Sequence, residues 1–297
     1  MKLPLNSANK SAGVVIVSCI LFWALYHLMI FVLGPITPIF GNLWKNLTFG
    51  VSGTLTTILI SWLFVRYEKT SLKEIGLTWQ RGTVRRFFTG LLIGGALFGL
   101  MLSALLMFTP LQLQLNTKSF QPTALPGYFA FIPLSLMEEI GFRGYPFLRL
   151  HKRFGLSVTQ LIIAILFALY HVAGGQSVAG SFLGPGIWAF VFGLAAVWSR
   201  GIAMPFGIHL ALNLLQPLTG MRGDSGALWI LKNKTDLAGG HMATPETVGL
   251  VMHLILLAGN LLMTEYYIRK KQERLPRESG ENNIEIDETV FRNGSLS

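Results

Sequence analysis

The sequence predicts an all-α, polytopic membrane protein with about eight transmembrane helices. Of its 297 residues, 52% are apolar and only 13% are charged, which is roughly half the charged share of ordinary soluble domains. The apolar residues cluster in segments close to the ~20 residues needed to cross a bilayer. A soluble enzyme, a disordered chain and a nucleic-acid-binding domain are therefore excluded as first interpretations. Because Cys19 is the only cysteine, the chain has neither an internal disulfide nor a zinc site built from cysteines.

The apolar segments are expected to be helices, because lipid offers no hydrogen-bond partner to a free backbone group. The first segment is too long for a secretory signal and lacks a small-residue cleavage site, so we expect it to remain as a membrane helix. The eight predicted spans are 12–33, 47–65, 87–109, 127–148, 157–173, 182–199, 202–219 and 247–268.

The basic residues predict how these spans are oriented. With a cytoplasmic N-terminus, 18 of the 24 lysines and arginines face the cytoplasm, 5 face outside, and Arg143 lies within a span. This positive-inside asymmetry requires an even number of spans, so both termini of this multi-pass protein are predicted to be cytoplasmic at the cell membrane. The net charge of +10 then faces anionic lipid headgroups, and no nucleic-acid partner is needed to explain it.

One transmembrane domain is predicted over residues 1–268, with a motif core at 127–219. Residues 269–297 are polar and carry a run of mixed charge. Such a composition cannot bury enough apolar surface to pay for ordering. We therefore expect a disordered cytoplasmic tail after residue 268.

The fourth predicted span carries three ionisable residues within six positions: Glu138, Glu139 and Arg143. Each such residue costs about 2.5–3.5 kcal/mol at the bilayer centre on insertion scales, so it needs a reason to be there. Glu139 and Arg143 are four residues apart and share a helix face, which predicts an ion pair. Glu138 points about 100° away from Glu139. We expect it to be the freer carboxylate, suited to general acid or base chemistry.

Two further predicted spans carry polar groups that match Glu138. His171 follows Phe167 by one helical turn, and Asn213 follows His209 by the same interval, so each pair shares a face. We expect Glu138 to take a proton from water, the two imidazoles to hold that water, and Asn213 to donate to a developing oxyanion. Glu138, His171 and His209 also match the three-ligand pattern of a catalytic zinc site. Whether a zinc ion takes part stays open at this point.

These three motifs resemble those of the CAAX prenyl endopeptidase and bacteriocin-processing (CPBP, or Abi) family of intramembrane proteases. That family is marked by Glu-Glu-x-x-x-Arg, Phe-x-x-x-His and His-x-x-x-Asn/Asp, in this order. The resemblance implies about eight helices enclosing a polar cavity, and endopeptidase activity on membrane-associated peptide or protein substrates. It implies catalytic roles for Glu138, His171, His209 and Asn213, with Glu139, Arg143 and Phe167 in support. Members of the family have been described both as glutamate-dependent and as metallo-endopeptidases.

Two other functions fit the sequence less well. Intramembrane carboxylates and histidines also line proton or ion paths in transporters, but the halves of this chain show no repeat of the kind typical of transporters. The second of these functions is that of a protease-like protein that binds a partner or confers immunity without cleaving a substrate.

Outside the motifs, His27 and His253 are expected to form interhelical hydrogen bonds. Four glycines of the third predicted span are expected to allow close helix packing: Gly90, Gly94, Gly95 and Gly99.

Overall fold

The computed structural model describes residues 11–117, 124–223, 226–234 and 243–293, with backbone alone from residue 274 onwards. Most of the described chain is helical. The helices are α1 (Ala12–Ile36), α2 (Lys45–Tyr67), α3 (Thr83–Phe108), α4 (Leu125–Arg143), α5 (Tyr145–Phe154), α6 (Leu156–Ala173), α7 (Val178–Ser181), α8 (Ile187–Ser199), α9 (Ala203–Leu218) and α10 (Pro245–Asn293). A 3₁₀ turn, Thr37–Phe40, follows α1, and a π-helical turn, Phe182–Gly186, joins α7 to α8. Two strands, β1 (Leu111–Leu115) and β2 (Trp229–Asn233), complete the described elements.

Six stretches of the described chain are long and apolar enough to cross a membrane: Ala12–Phe40, Lys45–Tyr67, Thr83–Phe108, Leu156–Ala173, Val178–Ser199 and Pro245–Glu273. Large apolar side chains stand exposed on them, as at Phe31 (76%) and Leu92 (73%), which is the surface that lipid would cover. The protein is thus an all-α, polytopic membrane protein, as predicted. The two other predicted spans correspond to α4, which carries three charged residues, and α9, which has only 16 residues. The count of eight therefore stays a prediction.

The predicted fourth span, 127–148, is wrong at its C-terminal end. α4 ends at Arg143, and Gly144 leaves the helical conformation before α5 begins at Tyr145. Pro146 explains the break, because proline lacks the amide hydrogen of a helix interior but fits the first turn of a new helix. α5 then packs against the segment that follows α2, where Glu68 pairs with Arg149 and accepts a hydrogen bond from Tyr145 Oη at 2.9 Å.

Close contact between α3 and α9 depends on two of the predicted glycines. The backbone of α9 passes directly over Gly90 and Gly94, and a Cβ added to Gly94 would lie 2.7 Å from the carbonyl oxygen of Ile208. By contrast, Gly99 has no such neighbour within 4 Å, and Gly95 has only a Leu215 methyl at 4.0 Å. The packing prediction is therefore confirmed for Gly90 and Gly94 and wrong for Gly99.

The small sheet was not predicted. β1 and β2 pair antiparallel, with Leu113 opposite Leu231, and so join the segment after α3 to the segment after α9. The Tyr128 hydroxyl of α4 donates to the Gly226 carbonyl at 2.8 Å, which ties the same region to the start of α4.

α10 continues to Asn293 and so extends through most of the expected disordered tail. Lys, Arg, Gln and Glu, which make up residues 269–274, are good helix formers, and this accounts for a helix that outlasts its apolar part. A domain boundary at residue 268 stays a prediction.

Candidate active site

A cavity of about 670 Å³ lies among α1, α2, α4, α6, α8, α9 and α10. Its lining includes all four predicted catalytic residues, namely Glu138, His171, His209 and Asn213. These residues come from three helices that are separated in sequence, and the fold brings them together around one cavity.

Beneath this cavity lies a fully buried charge cluster. Glu139 Oε1 is 3.3 Å from Arg143 Nη1, which is the predicted ion pair, and 2.8 Å from His209 Nδ1. The Arg143 guanidinium lies over the rings of Phe167 and Phe192, 4.4 and 4.8 Å from their centres. Glu139 therefore joins α4 to α9 and orients the His209 ring, while the aromatic faces accommodate the buried cation.

Glu138 has a different environment from its neighbour. Its side chain is 14% exposed, whereas that of Glu139 is completely buried. One oxygen, Oε1, accepts a long hydrogen bond of 3.4 Å from the Tyr170 hydroxyl. The other, Oε2, is 3.7 Å from His209 Nε2 and has no hydrogen-bond partner among the described residues. Glu138 thus lines the cavity and keeps one buried carboxylate oxygen without a hydrogen-bond partner among the described residues.

The two histidines have their ring nitrogens set by their partners. His171 Nδ1 is 2.8 Å from the carbonyl oxygen of Phe167. A carbonyl can only accept, so Nδ1 carries the hydrogen and the neutral ring leaves Nε2 as an acceptor. In the same way, Nδ1 of His209 donates its hydrogen to the Glu139 carboxylate. The Phe167 ring packs edge-on against His171, with the centres 4.6 Å apart, and supports the site from below.

Asn213 is held from both ends of its carboxamide. Its Nδ2 donates to Ser135 Oγ at 2.9 Å, and its Oδ1 accepts from Arg222 Nη2 at 3.0 Å. Arg222 also donates to Gln216 Oε1 at 2.9 Å, and its guanidinium lies 5.6 Å from the centre of the Phe131 ring. These contacts orient the amide and leave its second N–H hydrogen available.

Three of these groups were not predicted from the sequence: Tyr170, Ser135 and Arg222. Tyr170 precedes His171, and Ser135 lies one turn before Glu139, so their helix positions offered a weak signal. Arg222 lies in the turn after α9, and nothing in the spacing of the motifs pointed to it.

Within the described ranges, His27 and His253 do not form the expected interhelical hydrogen bonds. Their Nδ1 atoms donate to carbonyls of their own helices, at Trp23 and Gly249, each at 2.7 Å. Both histidines line the same cavity as the motif residues. The preference for interhelical bonding is therefore wrong. One turn of helix supplies a carbonyl that satisfies Nδ1, so no neighbouring helix is required.

The described residues give no support to the zinc alternative. No group of three His, Cys, Asp or Glu side chains within the described ranges is placed to hold a metal ion. Because Nδ1 of both His171 and His209 is used by partners within the protein, a metal ion would have to bind through Nε2 of each ring. The metal role considered for Glu138, His171 and His209 is thus unsupported.

Residues 118–215 match the family model described as Type II CAAX prenyl endopeptidase Rce1-like. The match covers less than half of the chain, but it contains all three motifs. The resemblance to the CPBP family is thereby confirmed over these residues. At the level of the family, the match supports an intramembrane CAAX-type endopeptidase that sits in a lipid bilayer and acts on peptide substrates. No curated protein is significantly similar to the chain.

Proposed function

We propose that this chain hydrolyses a peptide bond of a membrane-associated substrate, with Glu138 as the general base and without a metal ion. The observation that carries the proposal is the cavity lined jointly by Glu138, His171, His209 and Asn213. Oε2 of Glu138 has no hydrogen-bond partner among the described residues. A carboxylate in this position has a reason to be in a membrane helix only if a water or a substrate group meets it there.

The first step is the activation of water. A water between Glu138 and His171 donates one hydrogen to the carboxylate and the other to Nε2 of the imidazole. Its oxygen attacks the carbonyl carbon of the scissile bond while Glu138 accepts a proton. General base catalysis of this kind contributes about 10²–10⁴-fold to the rate.

The next step needs donors for the developing oxyanion. Asn213 has a second amide hydrogen, and its carboxamide is held in place by Ser135 and Arg222. His209, whose Nδ1 is held by the Glu139 carboxylate, lines the same cavity and helps to orient the attacking water. The tetrahedral intermediate then collapses as the C–N bond breaks, and the proton held by Glu138 passes to the leaving amine.

The proposal includes the orientation of the protein. With both termini cytoplasmic, eight crossings in the cell membrane satisfy the positive-inside rule. In this arrangement α4 and α9 cross the bilayer in spite of their polar residues, because those residues face the cavity and one another instead of lipid.

A comparison of membrane peptides tests the function. Cells producing the wild-type chain are compared with cells producing Glu138→Gln, and the peptides of both membrane fractions are identified by mass spectrometry. We expect at least one precursor to accumulate in Glu138→Gln cells and its fragments to disappear. The matched control is Glu265→Gln, which removes an exposed carboxylate paired with Arg269 and should leave the peptide set unchanged. Identical peptide sets in wild-type and Glu138→Gln cells would contradict the proposal.

A further inference from the structure

At one end of the bundle, the segment that follows α2 meets both α5 and the connection between α8 and α9. Glu68, after α2, pairs with Arg149 of α5. Gly76, in the same segment, packs on the α8–α9 connection, where an added Cβ would lie 2.7 Å from the Cα of Gly201. The latter part of α10 is held beside the start of α6 by the hydrogen bond from Thr264 to Gln160, at 3.0 Å.

This end of the bundle, here called the basic end, concentrates the positive charge of the described chain. Its lysines and arginines are Arg66, Lys69, Lys73, Arg81, Arg85, Arg86, Arg149, Lys152, Arg153, Arg200, Arg269, Lys270 and Lys271. Those described at the opposite end are only Lys45, Arg222, Lys232 and Lys234. The pairing of β1 with β2 shows that the segments after α3 and after α9 meet at this opposite end.

The cavity reaches the opposite end and is closed toward the basic end. Its lining includes Gln176, just after α6, and Arg222, just after α9. Toward the basic end, Phe142 and Glu139 are completely buried and Arg143 is 3% exposed, and α5 follows directly. Water can therefore approach Glu138 from the side of Gln176 and Arg222, but not through the layer formed by Phe142, Glu139 and Arg143.

We infer that the cavity opens on the extracytoplasmic face of the membrane and accepts peptide segments from that side. Clustered lysines and arginines remain on the cytoplasmic side of a membrane, so the closed basic end faces the cytoplasm. The substrate class is then the extracytoplasmic part of a membrane-bound peptide or protein, whereas the lipid-modified C-terminus of a cytosolic protein could not enter. The cleavage of that substrate rests on the peptidase activity in the proposed function, whereas the side on which the cavity opens rests only on the orientation given there.

Single cysteines test this orientation directly. The only native cysteine, Cys19, is 1% exposed, so the unmodified chain provides the unlabelled control. Gln176→Cys places a thiol at the cavity lining, and Ser71→Cys places one at the exposed basic end. Bacterial spheroplasts producing each variant are treated with a membrane-impermeant maleimide before and after the membrane is opened with detergent.

We expect Gln176→Cys to be labelled in intact spheroplasts and Ser71→Cys only after lysis. The reverse pattern would overturn the inference, and so would labelling of both variants in intact spheroplasts or of neither. None of these outcomes depends on catalysis. A wrong access side is therefore distinguishable from a failed peptidase assignment, which the peptide comparison tests by itself.

Discussion

The adjacent carboxylates Glu138 and Glu139 differ in what surrounds them, and this difference sets their roles. Glu139 accepts from Arg143 and His209 in a completely buried cluster, whereas Glu138 faces the cavity with one oxygen unpartnered among the described residues. Helix geometry alone was enough to predict different roles for Glu138 and Glu139, because positions 139 and 143 share a face. What the sequence could not reveal is the third member of the cluster, since His209 lies 70 residues away.

The first prediction contrasts the stabilities of two variants. Glu139→Gln leaves the buried Arg143 charge without its partner, so we expect a loss of about 3–5 kcal/mol in the free energy of unfolding. Glu138 has no cationic partner as close to it as Arg143 is to Glu139. We therefore expect the melting temperature of Glu138→Gln in detergent to stay near that of the wild type. Glu265→Gln, in an exposed pair worth about 0–1 kcal/mol, is the control. Equal destabilisation by the first two variants would argue against separate roles.

The second prediction concerns Arg222. A cation that donates to Oδ1 of Asn213 strengthens donation from Nδ2, so Arg222→Gln should lower kcat by roughly tenfold, the size expected for loss of a charged hydrogen bond. KM for the precursor found by the peptide comparison should change little. In an Asn213→Ala background the effect of Arg222→Gln should vanish, while Lys232→Gln on the exposed strand β2 should be silent. Effects of Arg222→Gln and Asn213→Ala that simply add would show that Arg222 does not act through Asn213.

At the scale of elements, apolar segments and motif spacing predicted the helices that carry the site, but not how they end. The Gly-Tyr-Pro sequence at 144–146 breaks the fourth predicted span, and the alternation of Leu and Gln at 111–115 forms a strand within a chain otherwise dominated by helices. Glycines indicated close packing in α3, yet of the four predicted ones only Gly90 and Gly94 lie against the backbone of α9. The rotation of a helix about its axis depends on its neighbours, which the sequence alone does not give.

The third prediction tests that packing with two glycines of one helix. Gly94→Ala forces a methyl group against the backbone of Ile208, next to His209, and should cost about 1–3 kcal/mol of stability, the usual range for overpacking. Gly99→Ala meets open space and should have little effect on the melting temperature. We also expect Gly94→Ala to reduce peptide cleavage, because α9 would have to move. Equal melting temperatures for the two variants would mean that α3 and α9 are not in close contact at Gly94.

At the scale of the whole molecule, composition and charge predicted the class of protein, since few charges and many apolar residues leave no soluble alternative. The number of crossings did not follow from hydropathy. α4 carries three charged residues of the site and α9 has only 16 residues, so both fall outside simple criteria of apolarity and length. A segment whose polar groups face an internal cavity differs in composition from one that faces lipid on all sides.

The fourth prediction concerns metal dependence of the complete protein. Because no three suitable side chains come together among the described residues, we expect chelators such as EDTA and 1,10-phenanthroline to leave cleavage unchanged. The measurement is the rate of cleavage by purified protein in lipid vesicles, together with the metal content of the same sample. Loss of activity on chelation that is restored by added zinc would contradict a glutamate-dependent mechanism.

The central claim is that Glu138 activates water for peptide hydrolysis inside the membrane protein. Its most direct measurement uses purified wild-type and Glu138→Gln protein in vesicles, in water enriched in ¹⁸O, with the precursor that accumulates in Glu138→Gln cells. We predict that wild-type protein cleaves this precursor and places one ¹⁸O atom in the new carboxyl group, and that Glu138→Gln is slower by about 10²–10⁴-fold while remaining folded. Cleavage by Glu138→Gln at the wild-type rate, or no cleavage by either protein, would contradict the claim.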